Sequence, residues 1–188
     1  MRLELAILGS LEPTDLLPWL AGEIERRFRF EDVTTAVLPM RSEWQAAGDR
    51  LSSNAIVDSL IERSESDGVS HEVRWTLAVT DVDLTAPGRD YVFGEAALGG
   101  GWAVVSIFRL IGETGAANAE ERLRTRFVTE VIHELGHLAG VGHCDTPGCV
   151  MLASATPEDA DLKGPHFCST CEVIIPASCA LVMPMTTG

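Results

Sequence analysis

Cysteine is absent from the first 143 residues of this 188-residue chain, aromatic side chains make up only 6% of it, and basic residues are few. Its 14 lysines and arginines stand against 28 acidic residues, which gives a net charge of -14. Nucleic acids and anionic membranes are bound by basic patches, so this balance argues against both as partners. A membrane-spanning helix needs ~20 apolar residues, and no uninterrupted run approaches that length.

The N-terminal segment also lacks the features of a secretion signal. Glu4 interrupts its apolar run, Pro13 ends the run, and no small-residue cleavage site follows. We therefore expect a cytoplasmic protein, in which thiols stay reduced and clustered cysteines bind metal rather than form disulfides. The chain length and a hydrophobic content of 46% predict one globular domain, and we expect a monomer.

The order of apolar and β-branched segments predicts an α/β (α+β) fold, in which helices pack on a sheet and a largely irregular part follows. A long helix is predicted from near Asn118 to about Gly140. Thr14 and either Ser53 or Asn54 are the predicted caps of two earlier helices. Strands are predicted over residues 2–9, 32–39, 73–81 and 103–110, and the two earlier helices over 13–28 and 54–64.

Three of the five histidines lie close together, at and just beyond the C-terminal end of the long predicted helix. Residues four apart share a helix face, so His133 and His137 present their imidazoles to one ion, whereas Glu134 points about 100° away. Gly140 favours the left-handed conformation that ends a helix, and a chain turned there brings His143 back towards the other two. Three neutral imidazoles with one open position are the ligand set of a catalytic zinc.

A simpler interpretation is that the HExxH pattern arose by chance, since a lone helical histidine is usually solvent-facing or a satisfied core residue. The added glycine and third histidine, at the offsets of HExxHxxGxxH, favour the metal site. Glu134 is then predicted to act as general base on a zinc-activated water and to pass the proton to the leaving amine.

Four of the five cysteines form two compact pairs, Cys144 with Cys149 and Cys168 with Cys171. Four thiolates in a tetrahedral array make a closed structural zinc site. The competing interpretations are a redox-active pair at Cys168 and Cys171, or buried thiols without a ligand. A redox pair of the thioredoxin type follows a strand, whereas the segment 159–167 is predicted to be a loop, so structural zinc is favoured.

Together these residues resemble the archaemetzincins, a branch of the metzincin zinc peptidases. The likeness rests on HExxHxxGxxHC-x4-C-x-M, which runs from His133 to Met151, and on the CxxC of Cys168 and Cys171. The upstream segments DLTAPGRDYVFGEA and AVVSIFRL are also similar to that family, so the resemblance extends over most of the chain. The gap between Met151 and Cys168 is one residue shorter than the family's usual spacing, which changes a loop and not the ligands.

The resemblance implies a metzincin-like zincin fold. An upper subdomain over 1–140, with a mixed twisted sheet and the active-site helix, would lie above a small lower subdomain over 141–188.

Met151 would be the Met-turn residue beneath the zinc, where the sequence alone indicates a core methionine. The implied activity is peptide hydrolysis with two zinc ions per chain, one catalytic and one structural, on a peptide or protein substrate. Aminopeptidase-like cleavage is associated with some relatives. The fifth cysteine, Cys179, is predicted to be a core residue.

Two other functions stay open at this point. One is a non-catalytic zinc protein that binds peptides, and the other is a zinc hydrolase of a non-peptide substrate, since HExxH fixes the activation of water more than the substrate. The presence of Glu134 counts against the first, because a mere binder needs no base. The predicted cleft edge, which would pair with substrate backbone, is either the strand 103–110 or the segment before Gly99.

Overall fold

The computed structural model describes residues 1–9, 11, 16–111 and 118–176. Two predictions, the cap at Thr14 and the core position of Cys179, lie outside the described residues. The strands are β1 (Arg2–Leu8), β2 (Val33–Leu38), β3 (Leu51–Ser52), β4 (Arg74–Thr80), β5 (Leu84–Ala86), β6 (Arg89–Val92), β7 (Gly94–Ala96) and β8 (Trp102–Ser106). The helices are α1 (Leu16–Glu25), α2 (Ser53–Asp67), α3 (Ala119–Leu138), α4 (Pro157–Lys163) and α5 (Ser169–Glu172).

The main sheet has five strands in the order β2-β1-β4-β8-β7. Its first four strands are parallel, and β7 runs antiparallel to β8. The central strands β1 and β4 are buried on both faces, as is usual for parallel strands covered by helices. This mixed architecture confirms the predicted α/β (α+β) fold class.

Helices cover both faces of the sheet, and the side chains of β1 show how. Leu3, Leu5 and Ile7 belong to the buried cluster that contains α1 and α3 residues. Ala6 and Leu8 point to the opposite face and pack with α2. The alternation follows from the two-residue period of a strand. The segment that follows α3 also contributes to the first cluster, so α3 is held between the sheet and the C-terminal part of the chain.

Strand β7 forms an edge of the main sheet, whereas β8 lies between β4 and β7. The predicted cleft edge at 103–110 is therefore an interior strand, and the segment before Gly99 supplies the free edge. The predicted strand 103–110 was also longer than the observed strand β8. Strand β8 ends at Ser106, and a 3-10 turn over Phe108–Leu110 follows, in which the Leu110 N–H donates to the Ile107 carbonyl.

Two further local predictions were wrong. The cap of α2 is Ser52, whose hydroxyl accepts from the Ala55 N–H, and not Ser53 or Asn54. The segment 159–167 is not all loop, because α4 covers its first half. Thr156 and Asp159 form a capping box at the start of α4, and the proline at its first position has a backbone already suited to a helix. No helix in the described ranges has both the length and the apolar character to cross a bilayer.

Candidate active site

Helix α3 ends in a tight turn that reverses the chain. Gly140 has φ +87°, a left-handed conformation that side chains with a Cβ disfavour. The Gly140 N–H donates to the His137 carbonyl and the Val141 N–H donates to the Gly136 carbonyl, each at 2.9 Å. This pair of bonds is the Schellman motif, and it directs the following residues back alongside the helix. The predicted turn at Gly140 is therefore present.

The turn brings His143 to the two histidines of α3. One donor nitrogen from each of His133, His137 and His143 lies within 4.8 Å of the others. The Nε2 atoms of His133 and His137 are 3.1 Å apart. Two nitrogens bound to one tetrahedral zinc at ~2.0–2.1 Å are about 3.3 Å apart, so the arrangement fits a shared ion. His133 is buried and His143 is exposed, so the group opens to solvent on one side.

Backbone carbonyls orient two of the imidazoles. The Nδ1 of His133 lies 2.7 Å from the Val150 carbonyl, and the Nδ1 of His137 lies 2.8 Å from the Val141 carbonyl. A carbonyl only accepts, so each Nδ1 carries the hydrogen and each Nε2 keeps its lone pair for a metal. Burial lowers the pKa of His133 well below its usual value, and burial also lowers the pKa of His137 and of His143. All three therefore favour the neutral form that binds metal.

Glu134 is buried at the floor of the cleft, against the edge strand. A Cβ at Gly94 of β7 would lie 2.6 Å from the Glu134 Oε1, so only glycine allows this approach. The Oε2 atom has no hydrogen-bond partner among the described residues. Burial raises the pKa of Glu134 well above its usual value, and the nearby charge of Glu130 adds to this. A cation held by the histidines would favour the ionised carboxylate instead.

Met151 packs against helix α3 at Gly136, between the positions of His133 and His137 in the sequence. Its side chain is fully buried, and a Cβ at Gly136 would lie only 2.4 Å from its sulfur. The same Cβ would lie 2.9 Å from a ring carbon of Phe167. The side chains of Met151 and Phe167 therefore fill the space next to Gly136. Gly136 was not among the predicted site residues. The signal was available, because a glycine inside a helix costs stability and needs a packing reason.

The four predicted cysteines also come together. Cys144 Sγ is 3.8 Å from Cys168 Sγ, and Cys149 Sγ is 3.8 Å from Cys171 Sγ. These distances exclude disulfides, whose sulfurs are ~2.05 Å apart. Sulfurs bound to one tetrahedral zinc at ~2.3 Å are about 3.8 Å apart, so the cluster fits a closed structural site. The described residues directly before Cys168, 164–167, form no strand, which leaves the redox interpretation without its usual structural context.

Hydrogen bonds prepare two of these thiols for a metal. A backbone hydrogen bond from Cys171 lowers the pKa of Cys168 to about 6, and a hydrogen bond with the Thr146 side chain lowers the pKa of Cys144. Burial raises the pKa of Cys149 and of Cys171. A coordinating metal deprotonates such thiols outright, so the raised values describe the metal-free chain.

A cleft of about 770 Å³ runs past the histidines and Glu134. The strands β6 and β7 line it, together with segments 142–143 and 153–155. The hydroxyl of Tyr91, on β6, donates to the carbonyl of Ala155, and both residues line the cleft. The sequence reasoning missed Tyr91, although it is the only tyrosine in the chain.

Comparisons with known proteins agree with this geometry. Residues 48–176 match the model of peptidase family M54. Archaemetzincin from Methanopyrus kandleri is 36% identical over 140 residues, which cover 74% of this chain and 73% of that relative. The chain belongs to the archaemetzincin family, peptidase family M54. Archaemetzincin from Archaeoglobus fulgidus is 43% identical over 99 residues, which cover 53% of this chain and 58% of that protein.

Solved structures of the family have the same fold. The crystal structure of M. kandleri archaemetzincin has a TM-score of 0.76 at 30% identity and covers 93% of both chains. That of A. fulgidus archaemetzincin, complexed with malonate, has a TM-score of 0.73 at 30% identity, over 93% of this chain and 100% of that one. A zinc-dependent peptidase from Methanocorpusculum labreanum has a TM-score of 0.74 at 26% identity. The predicted family and zincin fold are confirmed.

Membership of the family is shown, but the roles of individual residues in this chain are not tested by the comparisons. The sequence alignment spans 58% of the A. fulgidus relative and 53% of the Thermococcus kodakarensis relative, little more than half of each. The structure brings all seven predicted metal ligands into two separate groups of three and four. Their roles, the role of Glu134 and the division into subdomains at residue 140 stay predictions.

Proposed function

We propose that this protein is a zinc metallopeptidase that cleaves peptide bonds at the centre formed by His133, His137 and His143. The observation that carries the proposal is the convergence of three neutral imidazoles beside a buried, unpaired Glu134 oxygen at the floor of an open cleft. Membership of peptidase family M54 and the likeness to a zinc-dependent peptidase support it. A non-catalytic binding protein would not need a buried, destabilising acid in this position.

The chemistry divides between the metal and the chain. When bound, zinc supplies Lewis acidity that activates water and the scissile carbonyl. Glu134 would accept the proton of the attacking water at Oε2, which has no partner among the described residues, and would deliver it to the leaving amine nitrogen. The Val150 and Val141 carbonyls keep two imidazoles in the tautomer that leaves Nε2 free.

The free edge of β7 is the proposed binding surface for substrate backbone. An extended peptide can add to such an edge through main-chain hydrogen bonds, with its side chains directed alternately to the two faces. Gly94 places this edge directly against Glu134, so a peptide paired with β7 passes the general base. We infer that the substrate is a peptide or protein bound in extended form.

The proposal includes two zinc ions per chain. The second would be held by the four cysteines as a closed structural site, because its ligands leave no position for water. The four free thiols also support a reducing, cytoplasmic location, and a monomeric enzyme stays the expected state.

Metal analysis and turnover on a peptide library test the proposal. We expect two zinc ions in the wild-type protein, one in His137→Ala, and two in Glu134→Gln, which should cleave no peptide. Turnover by Glu134→Gln at the wild-type rate would remove the general base from the mechanism. Peptide binding by the wild-type protein without any cleavage would favour the binding protein instead.

A further inference from the structure

Lys163, at the end of α4, is a fully buried lysine. Its side chain is 0% exposed, and its Nζ lies 3.2 Å from the Glu130 Oε1 on α3. The same Nζ donates to the Leu152 carbonyl at 2.9 Å. Lysine is almost never buried unless it is paired, because removing an ammonium from water is costly. The position therefore needs an explanation beyond the packing of a lysine stem.

The same ammonium touches the candidate metal centre. Lys163 Nζ lies 3.3 Å from His133 Nδ1, the ring nitrogen that faces the Val150 carbonyl, whereas the Nε2 of the same ring faces His137. Because Nδ1 carries a hydrogen, this is a close contact and not a hydrogen bond. Its acceptor Leu152 directly follows Met151. Its partner Glu130 also accepts from the hydroxyl of Ser154, which lines the cleft, at 2.8 Å. One buried cation thus contacts helix α3, the segment after Met151 and the predicted metal ligand His133.

We propose that Lys163 is a positioning residue of the metal centre. Through its contacts with Leu152 and Glu130, it links the segment 150–154 to α3. This segment contains the Val150 carbonyl that orients the His133 ring. Without the ammonium, the Leu152 carbonyl of this segment would lose its hydrogen-bond donor. The buried Glu130 carboxylate would then keep only its hydrogen bond from the Ser154 hydroxyl. The inference rests on the proposed function only in taking His133 as a metal ligand.

The chain contains a matched control for this role. Arg126 is a second buried cation that joins α3 to α4, through two bonds to Asp161 at 2.8 and 2.6 Å. Its other guanidinium bonds reach the Leu110 carbonyl and the Glu158 carboxylate, and among the described residues none of its hydrogen bonds involves a histidine or the segment 150–154. If Lys163 only held the helices together, loss of either cation would have the same consequences.

The test uses the full chain, stripped of metal and titrated with Co²⁺. Thiolate-bound and imidazole-bound cobalt absorb at different wavelengths, so each site is followed by its own signal. In Lys163→Met we expect the Co²⁺ affinity of the histidine site to fall about 10–100-fold, the usual cost of losing a residue that orients a ligand. The affinity of the cysteine site should be unchanged. Arg126→Met should lower the melting temperature but leave both affinities within about threefold of wild type.

A double variant covers the case in which Lys163→Met does not fold. Lys163→Met with Glu130→Gln removes both buried charges while keeping the side-chain lengths, and should still show the weakened histidine site. Wild-type affinity in either folded variant, or an equal loss in Arg126→Met, would overturn the proposal. Peptide turnover is measured separately. Wild-type protein that binds Co²⁺ at both sites but cleaves nothing contradicts the peptidase function alone, whereas a wild-type histidine site that binds no Co²⁺ contradicts both.

Discussion

The Glu134 carboxylate lies in surroundings that oppose its charge. Burial raises its pKa well above the value near 4.3 of an unfolded chain. Between these two values the native metal-free protein keeps a proton that the unfolded chain has lost, so the free energy of unfolding falls as pH rises through this range. The cost of keeping this acid at the floor of the cleft is therefore greater at neutral pH than in acid.

Glu134→Gln should consequently stabilise the metal-free protein at pH 7, because glutamine cannot ionise. Near pH 3, about one unit below the unfolded-state pKa, the carboxyl is protonated in both states, and the two proteins should melt at the same temperature. Thermal melting of both metal-free proteins at the two pH values measures this. An equal difference at both pH values would show that the substitution acts through packing and not through charge. Added zinc should shrink the pH 7 difference, because a bound cation favours the carboxylate.

At the scale of elements, the C-terminal turn of α3 decides whether the third histidine reaches the other two. A Cβ at Gly140 would meet open space, so replacement there is opposed by the backbone conformation alone. Forcing φ +87° on alanine costs about 1–2 kcal/mol. In such a variant we expect the turn to open and so relieve the strain, which would move His143 away from α3.

Gly140→Ala should therefore weaken Co²⁺ binding at the histidine site by roughly tenfold, the equivalent of that strain. Gly140→Asn is the matched control, since asparagine tolerates the left-handed conformation and should keep more of the affinity. Both are measured by the cobalt titration. Equal affinity in the alanine variant and the wild-type protein would mean that the turn does not set the position of His143.

At the scale of the whole molecule, the cysteine cluster and the histidine centre share one stretch of chain. Cys149 directly precedes Val150, whose carbonyl orients His133, and Met151 follows. The cluster ties this stretch to α5 through Cys168 and Cys171. A structural zinc would therefore stabilise the fold and also hold the surroundings of the catalytic centre.

Loss of one thiol should affect both properties. We expect Cys171→Ala to lower the melting temperature of the zinc-loaded protein by roughly 10 °C, since each kcal/mol shifts it by about 2–4 °C at this size. Its histidine site should also bind Co²⁺ more weakly. The exposed Ser169, on the same short helix, gives the control Ser169→Ala, which should change neither value. A wild-type melting temperature in Cys171→Ala would contradict a structural metal.

The sequence by itself determined the features that depend on local spacing. Histidines four apart share a helix face wherever the helix lies in the fold. Gly140 ends that helix because glycine adopts the left-handed backbone conformation of a helix end without help from distant residues. The paired cysteines likewise chelate at short range. Local signals were also present where prediction failed, since Thr156 and Asp159 carry a capping box that the loop prediction overlooked.

Tertiary structure alone decided which distant residues meet. No periodicity relates Gly94 to Glu134, or Lys163 to Glu130, because these contacts arise from how a strand and two helices pack. The edge position of β7 likewise depends on strand order, which a strand's own residues do not specify. Composition and spacing act within a few residues of the chain, whereas the surroundings of a buried group are set by segments that only folding brings together.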